Sequence, residues 1–407
     1  MKYILVIGDG MADNALRALD GKTPLQCAKK PRIDAMAKAG LLGSVRNVPE
    51  GYPPGSDTAI MSIFGCAPEK YYSGRAPLEA AAQGIALNPG DAAFRCNNVA
   101  LSDEAAFMDK RILSHSGGGI EGAEGRELVE WLFAHPEFSA CAEKAGMSIH
   151  PTDSYRHIAV QKAADISGIR LCPPHDNLGE TVSDTRPTGC ADAEVLTALM
   201  EKANALLEQH PINLKRREEG KLPANGVWFW AEGTAAALPN FPARYGHTGL
   251  VVSAVPLCHG IATLCGLELT LVPGATGELD TNFAGKVEAT LEALRNYDFA
   301  AVHLEAPDEC THCNDLPGKI KAIELLDELI VAPIADALEA AGEDYRMLIL
   351  SDHKTLMEEG GQHDGTPVPF LVYDSRGGEG SGLSYTEENG EKGPFLPAGT
   401  ALMDLLF

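Results

Sequence analysis

Short apolar runs recur along the chain, separated by stretches with helical periodicity. Residues 3–7 (YILVI) lead into Gly8-Asp9-Gly10, the pattern of a buried parallel strand entering a tight turn. Similar runs follow toward the C-terminal end at 250–255 (LVVSAV), 299–304 (FAAVHL), 346–350 (RMLIL) and 369–373 (PFLVY). Between them, 261–267, 285–296 and 316–341 have helical spacing of apolar positions. Strands alternating with helices predict an α/β domain, a mostly parallel sheet flanked by helices.

The middle of the chain has a different texture. Polar loops, Gly117-Gly118-Gly119, Pro173-Pro174 and the charged segment 215–221 (KRREEGK) interrupt it, and strand-like pieces at 148–150, 157–161 and 227–230 are short. This pattern predicts an inserted α+β lobe over 88–242, between two parts, 1–87 and 243–407, of one discontinuous α/β domain. A chain of 407 residues is also longer than one hydrophobic core usually organises.

Composition narrows the class. Apolar residues make up 45% and charged residues 22%, an ordinary globular balance. The formal charge of −24 sets the surface against nucleic acid, although a few local arginines still suit a small anionic substrate. No apolar run approaches the ~18 residues needed to span a bilayer. The 10 cysteines are scattered and no secretory leader pattern precedes them, so reduced thiols in a cytoplasmic protein are expected. Cys310 and Cys313 form a C-x-x-C pair without a second pair at zinc-ribbon spacing.

The chemistry-bearing residues gather at predicted strand ends, where open parallel sheets collect ligands. Asp9 follows the first strand. Asp308 comes just after 299–304, with His312 four residues on. Asp352 and His353 directly follow 346–350, and His363 precedes 369–373. Carboxylate and imidazole donors together suit Mn²⁺ or Zn²⁺ and, with fewer histidines, Mg²⁺. Asp308 and His312 share a face if their segment is helical, while adjacent Asp352 and His353 project differently, so that one could serve each of two metals.

Ser56 lies in Pro53-Pro54-Gly55-Ser56-Asp57-Thr58-Ala59, a turn leading into a predicted helix over 58–64. At a helix start it is either a cap or a hydroxyl placed where unpaired N–H groups favour an incoming anion. Metal coordination is what could ionise it as a nucleophile. The segment 8–13 (GDGMAD) lacks the G-x-G-x-x-G spacing of a dinucleotide loop, and Asp9 would repel a pyrophosphate there.

Taken in order, GDGMAD (8–13), PPGSDTA (53–59), SGRAPLEAA (73–81), EAPDECTH (305–312), SDH (351–353) and HDGTPVPF (363–370) resemble the archaeal-type, cofactor-independent phosphoglycerate mutases of the alkaline phosphatase superfamily. The likeness extends through FRCN (94–97), SYRH (154–157), PPHD (173–176) and VPGATGELDTN (272–282). It implies an alkaline-phosphatase-like fold and an isomerase of glycolysis and gluconeogenesis that moves phosphate between the 3- and 2-positions of glycerate through a phosphoserine. Carried over residue by residue, Asp9, Ser56, Asp352 and His353 would hold one divalent ion, and Asp308, His312 and His363 a second. Mn²⁺ is the first expectation and Mg²⁺ or Zn²⁺ the alternatives. Arg75, Arg95, Arg156, His157, His175, Asp176 and Lys286 stand in blocks that bind the small phosphorylated substrate in the family, and guanidinium groups suit bidentate binding of phosphate and carboxylate.

The chain departs from the family pattern at three places. Lys354-Thr355-Leu356 follows the SDH block where Pro-Thr-Pro is usual, Gly361-Gln362 precedes His363 where Arg-Thr is usual, and His259 stands where a lysine is often found. These departures bear on substrate rather than metals. They keep open a homoserine kinase-like phosphotransfer in threonine synthesis, a role proposed for a bacterial branch of the family. The motifs specify no oligomeric state.

Overall fold

The computed structural model describes residues 1–120 and 122–407. The chain divides into two compact units, Met1–Tyr72 with Ala237–Phe407, and Ser73–Ala236. The division falls at 73 and 236 instead of 88 and 242. Helix Arg75–Ala82 packs on strands Ala92–Leu101 and Gly226–Thr234 of the inserted unit, so the insertion begins before its first strand.

The discontinuous unit is built on an eight-stranded sheet. Its order is Phe395–Leu396, Leu41–Val45, Val368–Asp374, Tyr345–Leu350, Lys2–Gly8, Phe299–Leu304, Gly249–Val252 and Glu268–Thr270. Lys2–Gly8 runs parallel to both its neighbours, as do Phe299–Leu304 and Gly249–Val252 to theirs. Val368–Asp374 is the exception, antiparallel to the strands on each side. The sheet is therefore mostly parallel, the α/β class read from the alternation. The three central strands are buried almost throughout, as their unbroken apolar runs require.

Register sets the chemistry of the sheet edge. Ile7 pairs with His303 on one side and Leu350 on the other, so Asp9, Glu305 and Asp352 each lie two residues past that shared level. The long helical stretch after it is one path in three parts: Leu316–Leu326, a π-helical turn Asp327–Val331, and Ala332–Ala340. Pro333 has no N–H to offer the carbonyl one turn back, and the wider turn sits where that bond is missing.

The inserted unit contains a five-stranded, wholly antiparallel sheet. Its central strand, Ala92–Leu101, pairs with Arg156–Gln161 on one side and Gly226–Thr234 on the other. All 10 of its residues are buried. Helices Gly122–Ala134, Pro136–Lys144 and Ala191–Leu207 contribute Leu128, Phe138 and Leu196 to the same core as Phe94 and Trp228. Among the described residues, no helix is long and apolar enough to cross a membrane.

Candidate active site

Two clusters of ligand-type side chains form at the carboxyl edge of the large sheet. Asp9, Asp352 and His353 bring ligand atoms within 4.8 Å of one another, and so do Asp308, His312 and His363. Each arrives by a different device. Asp9 is delivered by the turn after Lys2–Gly8, its N–H bonded to the carbonyl of Leu304. Asp308 and His312 lie one turn apart on helix Ala306–His312, with Nε2 of His312 3.1 Å from Oδ2 of Asp308. His363 is carried by the hairpin Lys354–Leu356 with Gln362–Asp364, opposite Thr355.

Gly10 has φ of +59°, and a Cβ there would lie 2.4 Å from Oγ1 of Thr355 and 2.6 Å from Oδ1 of Asp308. Only glycine lets the first turn pass this close beneath the second cluster. Its N–H donates to Oδ1 of Asp352 at 3.0 Å, and the N–H of His353 donates to the same oxygen at 2.8 Å. Asn47 holds the backbone of that segment by donating to the carbonyls of Ser351 and Asp352. Gly361, at one of the departures from the family pattern, has φ of +80°, and a Cβ there would come within 2.9 Å of Nδ1 of His312.

The first cluster is buried, and two of its carboxylate oxygens have no hydrogen-bond donor. Oδ1 of Asp9 and Oδ2 of Asp352 have no hydrogen-bond partner, though both side chains are at most 2% exposed. Nε2 of His353 lies 3.6 Å from the first and 3.2 Å from the second. Burial, then repulsion from Asp352 and Asp308, pushes the Asp9 carboxyl well above its ordinary range. Burial likewise pushes His353 down, toward the neutral imidazole that a metal requires. Orphaned carboxylate oxygens facing a neutral imidazole are a donor set that a divalent cation satisfies and protein hydrogen bonds do not.

In the second cluster, burial opposes the charge of Asp308, but hydrogen bonds from His312 and His363 hold its carboxyl far below the usual range. Nε2 of His312 and Nε2 of His363 face each other at 3.1 Å. Two imidazole nitrogens and a carboxylate oxygen converging in this way likewise fit a divalent ion.

Ser56 is brought to the first cluster. Its Oγ lies 3.1 Å from Nε2 of His353 and 3.4 Å from Oδ2 of Asp9. Gly55, and not Ser56, is the N-cap of helix Ser56–Ile63, and Ser56 makes no capping hydrogen bond. The hydroxyl is therefore left to the cluster.

Three residues behind the ligands carry no direct sign in the sequence. His303, inside the apolar strand Phe299–Leu304, places Nε2 3.0 Å from Oδ2 of Asp9 and Nδ1 3.2 Å from Oγ of Ser253. Asp13 and Lys319 form a buried ion pair beneath the hairpin. The alternation of the strand, in which His303 shares a face with Ala301, was the only signal for the first.

The expected substrate contacts divide into two groups. In the inserted unit, Glu79 joins Arg75 and Arg95: Nε of Arg75 is 3.2 Å from Oε1, and Nε of Arg95 is 2.8 Å from Oε2. The Arg95 guanidinium also lies 4.7 Å from the Trp230 ring, with Arg156 at 5.9 Å and the His175 ring at 5.0 Å. Nε of Arg156 is buried without a partner. Asp176 is well exposed, 3.5 Å from His175. Burial works against the Glu79 charge, but Arg95, then Arg75 and Arg156, hold its carboxyl low. These guanidinium groups surround one carboxylate and leave a buried donor unused, an arrangement suited to a further anion.

His157 and Lys286 do not match the expectation of substrate contact. His157 is fully buried, Nδ1 accepting from the N–H of Thr152 at 3.1 Å and Nε2 paired with Oδ1 of Asn98 at 2.9 Å. Neither ring nitrogen is left for a ligand, so its place is structural. Lys286, in the discontinuous unit, is 1% exposed and donates to the carbonyl of His303 at 2.9 Å. Burial pushes its pKa down to about 8. It supports the strand that carries His303.

Fold and donor set together define an α/β protein with two side-chain clusters suited to divalent metal ions. Comparison with known proteins makes the class specific. A family model described as 2,3-bisphosphoglycerate-independent phosphoglycerate mutase matches residues 37–213. A relative of that name from Methanothrix thermoacetophila is 46% identical over 375 residues, covering 91% of this chain and 90% of its own. A probable enzyme of the same name from Geobacter sulfurreducens is 42% identical, covering 100% of this chain and 99% of its own. Among solved structures, the PH0037 protein from Pyrococcus horikoshii superposes with a TM-score of 0.80 at 29% identity, covering 100% of this chain and 97% of its own. A cofactor-independent phosphoglycerate mutase from Thermoplasma acidophilum shares the fold, with a TM-score of 0.65 at 24% identity, covering 100% of this chain and 98% of its own. The chain belongs to the 2,3-bisphosphoglycerate-independent phosphoglycerate mutase family.

Proposed function

We propose that the protein interconverts 3-phosphoglycerate and 2-phosphoglycerate through a phosphoserine at Ser56. The observation that carries this reading is the Ser56 hydroxyl, free of capping duty and in contact with both Asp9 and His353. Asp9, Asp352 and His353, with Ser56, would hold one divalent ion, and Asp308, His312 and His363 a second. Mn²⁺ is the first choice for these mixed nitrogen and oxygen donors. When bound, such ions lower the pKa of a coordinated hydroxyl and offset charge on the transferring phosphoryl group.

The protein's own contribution is position. Oγ of Ser56 bonds to phosphorus as the C3 oxygen of glycerate leaves; the serine gives up one proton and the leaving oxygen gains one. The glycerate then re-orients so that its C2 oxygen attacks the phosphoserine, and the same bookkeeping runs in reverse, leaving no net proton or water consumed. Arg75, Arg95 and Arg156 are assigned to anionic groups of the substrate, with His175 and Asp176 at the exposed margin of the same cluster.

The test is to assay purified protein on 3-phosphoglycerate without nucleotide, and separately on homoserine with ATP. Formation of 2-phosphoglycerate in the first assay supports the mutase. Turnover only in the second overturns it in favour of a kinase-like transfer.

A further inference from the structure

Thr355 lies between the two ligand clusters, fully buried, and belongs to neither. Its hydroxyl is 2.5 Å from Oδ1 of Asp308 and 3.3 Å from Nδ1 of His353. A carboxylate only accepts, so the single hydroxyl proton goes to Asp308. Toward His353 the threonine oxygen is then an acceptor, and Nδ1 must be the donor. An independent contact agrees: Nδ1 of His353 is also 3.2 Å from the carbonyl oxygen of Lys354, which cannot donate. His353 is thus the Nδ1–H tautomer, and the lone pair of Nε2 faces Asp9, Asp352 and Ser56.

The backbone of Thr355 is held from three directions. Its N–H donates to the carbonyl of Ala12 at 3.1 Å, and its carbonyl accepts from Nζ of Lys319 at 2.7 Å. It also sits directly opposite His363 in the hairpin, the third member of the second cluster. Residues opposite each other in an antiparallel pair present their side chains to the same face.

We propose that Thr355 is a positioning residue that ties the two metal clusters together through the chain His353 Nδ1–H to Thr355 Oγ1–H to Asp308 Oδ1. It rests on the reading of these clusters as metal sites. The hydroxyl sets the tautomer of a ligand in one cluster and the carboxylate orientation of a ligand in the other, so a single substitution weakens both. Partners of this kind typically change metal affinity by roughly 10–100-fold when removed.

The experiment titrates metal-stripped protein with Mn²⁺ and counts free ion by electron paramagnetic resonance. Thr355→Val keeps shape and backbone bonds but deletes the hydroxyl; Thr355→Ser keeps the hydroxyl. The Val variant is expected to bind both ions at least tenfold more weakly, and the Ser variant to bind them within about threefold of wild type. Thr355→Ala repeats the test should Val not fold, with the same expected loss at both sites. Asp308→Asn is the control that separates the two readings, and it should weaken one binding event and spare the other.

If the hydroxyl-free variants bind both ions as wild type does, or lose affinity at one site only, the coupling role is overturned and the metal sites stand. If Ser fails to rescue, Thr355 acts through packing and the proposal falls. If wild-type protein binds no Mn²⁺, or Asp308→Asn changes nothing, the metal reading itself is wrong and the inference falls with it.

Discussion

Nζ of Lys319 donates to Oδ2 of Asp13 across 2.9 Å, and neither side chain is more than 1% exposed. The same ammonium donates to the Thr355 carbonyl, and the same carboxylate oxygen accepts from the N–H of Met357 at 3.2 Å. The pair therefore fixes the backbone on either side of Leu356, in the hairpin strand that brings Thr355 between the clusters. Removing one member of a buried pair leaves the other charge uncompensated, at a cost of about 3–5 kcal/mol. Lys319→Met should destabilise the discontinuous unit by that amount, and adding Asp13→Asn should recover at least half of it. Hydrogen exchange in urea, read on peptides from 1–72 and 237–407, measures both. Equal stability of wild type and Lys319→Met would refute the assignment.

His157 yields a pH prediction. Burial first, then the charge of Arg126, holds its pKa at about 4. In the unfolded chain the ring titrates near about 6.5. As pH falls the unfolded state takes up the proton first, so this contribution to stability is complete above about 6.5. It is lost progressively as pH falls from there to the folded value of about 4. The full span corresponds to roughly 3 kcal/mol. His157→Gln should flatten the acid-side loss of stability of the inserted unit while leaving KM near wild type. Trp131, Trp228 and Trp230 all lie in that unit, so fluorescence melts at several pH values report on it. Parallel slopes for variant and wild type would show that His157 is not the group responsible.

Arg156 should behave in the opposite way. With Nε buried and unpartnered beside the Glu79 cluster, it is the donor most directly available to an anion. Arg156→Lys keeps the charge but loses the planar fork. A charge-assisted hydrogen bond is worth about 1.5–3 kcal/mol, so KM should rise by roughly 10–100-fold, with a smaller change in kcat. Steady-state kinetics on the preferred substrate decide it; an unchanged KM removes Arg156 from the binding assignment.

How much of this was readable beforehand depended on whether a residue's surroundings were local. The first strand and Phe299–Leu304 are unbroken apolar runs because both faces are covered, and they were legible for that reason. Ala92–Leu101 was not, since Arg95, Asn97 and Asn98 interrupt it, and each finds its partner far away: Glu79, the carbonyl of His115, and His157. Leu41–Val45 hid in the same way behind Gly43 and Ser44. The acids and histidines at strand ends could be picked out by position; a turn, a short helix and a hairpin then gather them into two clusters. The tautomer of His353 could not, because it depends on a hydroxyl that only the hairpin places. The choice between cap and cluster for Ser56 was likewise undecided until Gly55 took the cap.

Removing metal should act on stability as well as activity. Without a cation, Asp9 and Asp352 confront each other with unpartnered oxygens, and burial already disfavours the Asp9 charge. Chelation should abolish turnover and lower the melting temperature, and Mn²⁺ should restore both. An ion present at 100 times its dissociation constant adds about 2.7 kcal/mol. Calorimetry with elemental analysis checks this; full activity in protein shown to be metal-free would end the two-ion reading.

The covalent step is tested at Ser56. Because Gly55 caps the helix and the Ser56 side chain makes no capping bond, Ser56→Ala removes no helix interaction. Its stability cost should stay near that of one hydrogen bond, about 0.5–1.5 kcal/mol, because only the contacts with Asp9 and His353 are lost. Most ligands of both clusters remain, so metal content should hardly change. Turnover, by contrast, should vanish. Wild-type protein given labelled 3-phosphoglycerate and quenched in acid should carry phosphate on the peptide containing Ser56, and the alanine variant should not. The donor separates the mutase from a kinase-like transfer, since both pass through a phosphoserine: labelling from 3-phosphoglycerate without nucleotide supports the mutase, and labelling only from ATP supports the kinase. If the alanine variant turns over near the wild-type rate on either substrate, the nucleophile lies elsewhere, and the contacts of Ser56 with Asp9 and His353 have another purpose.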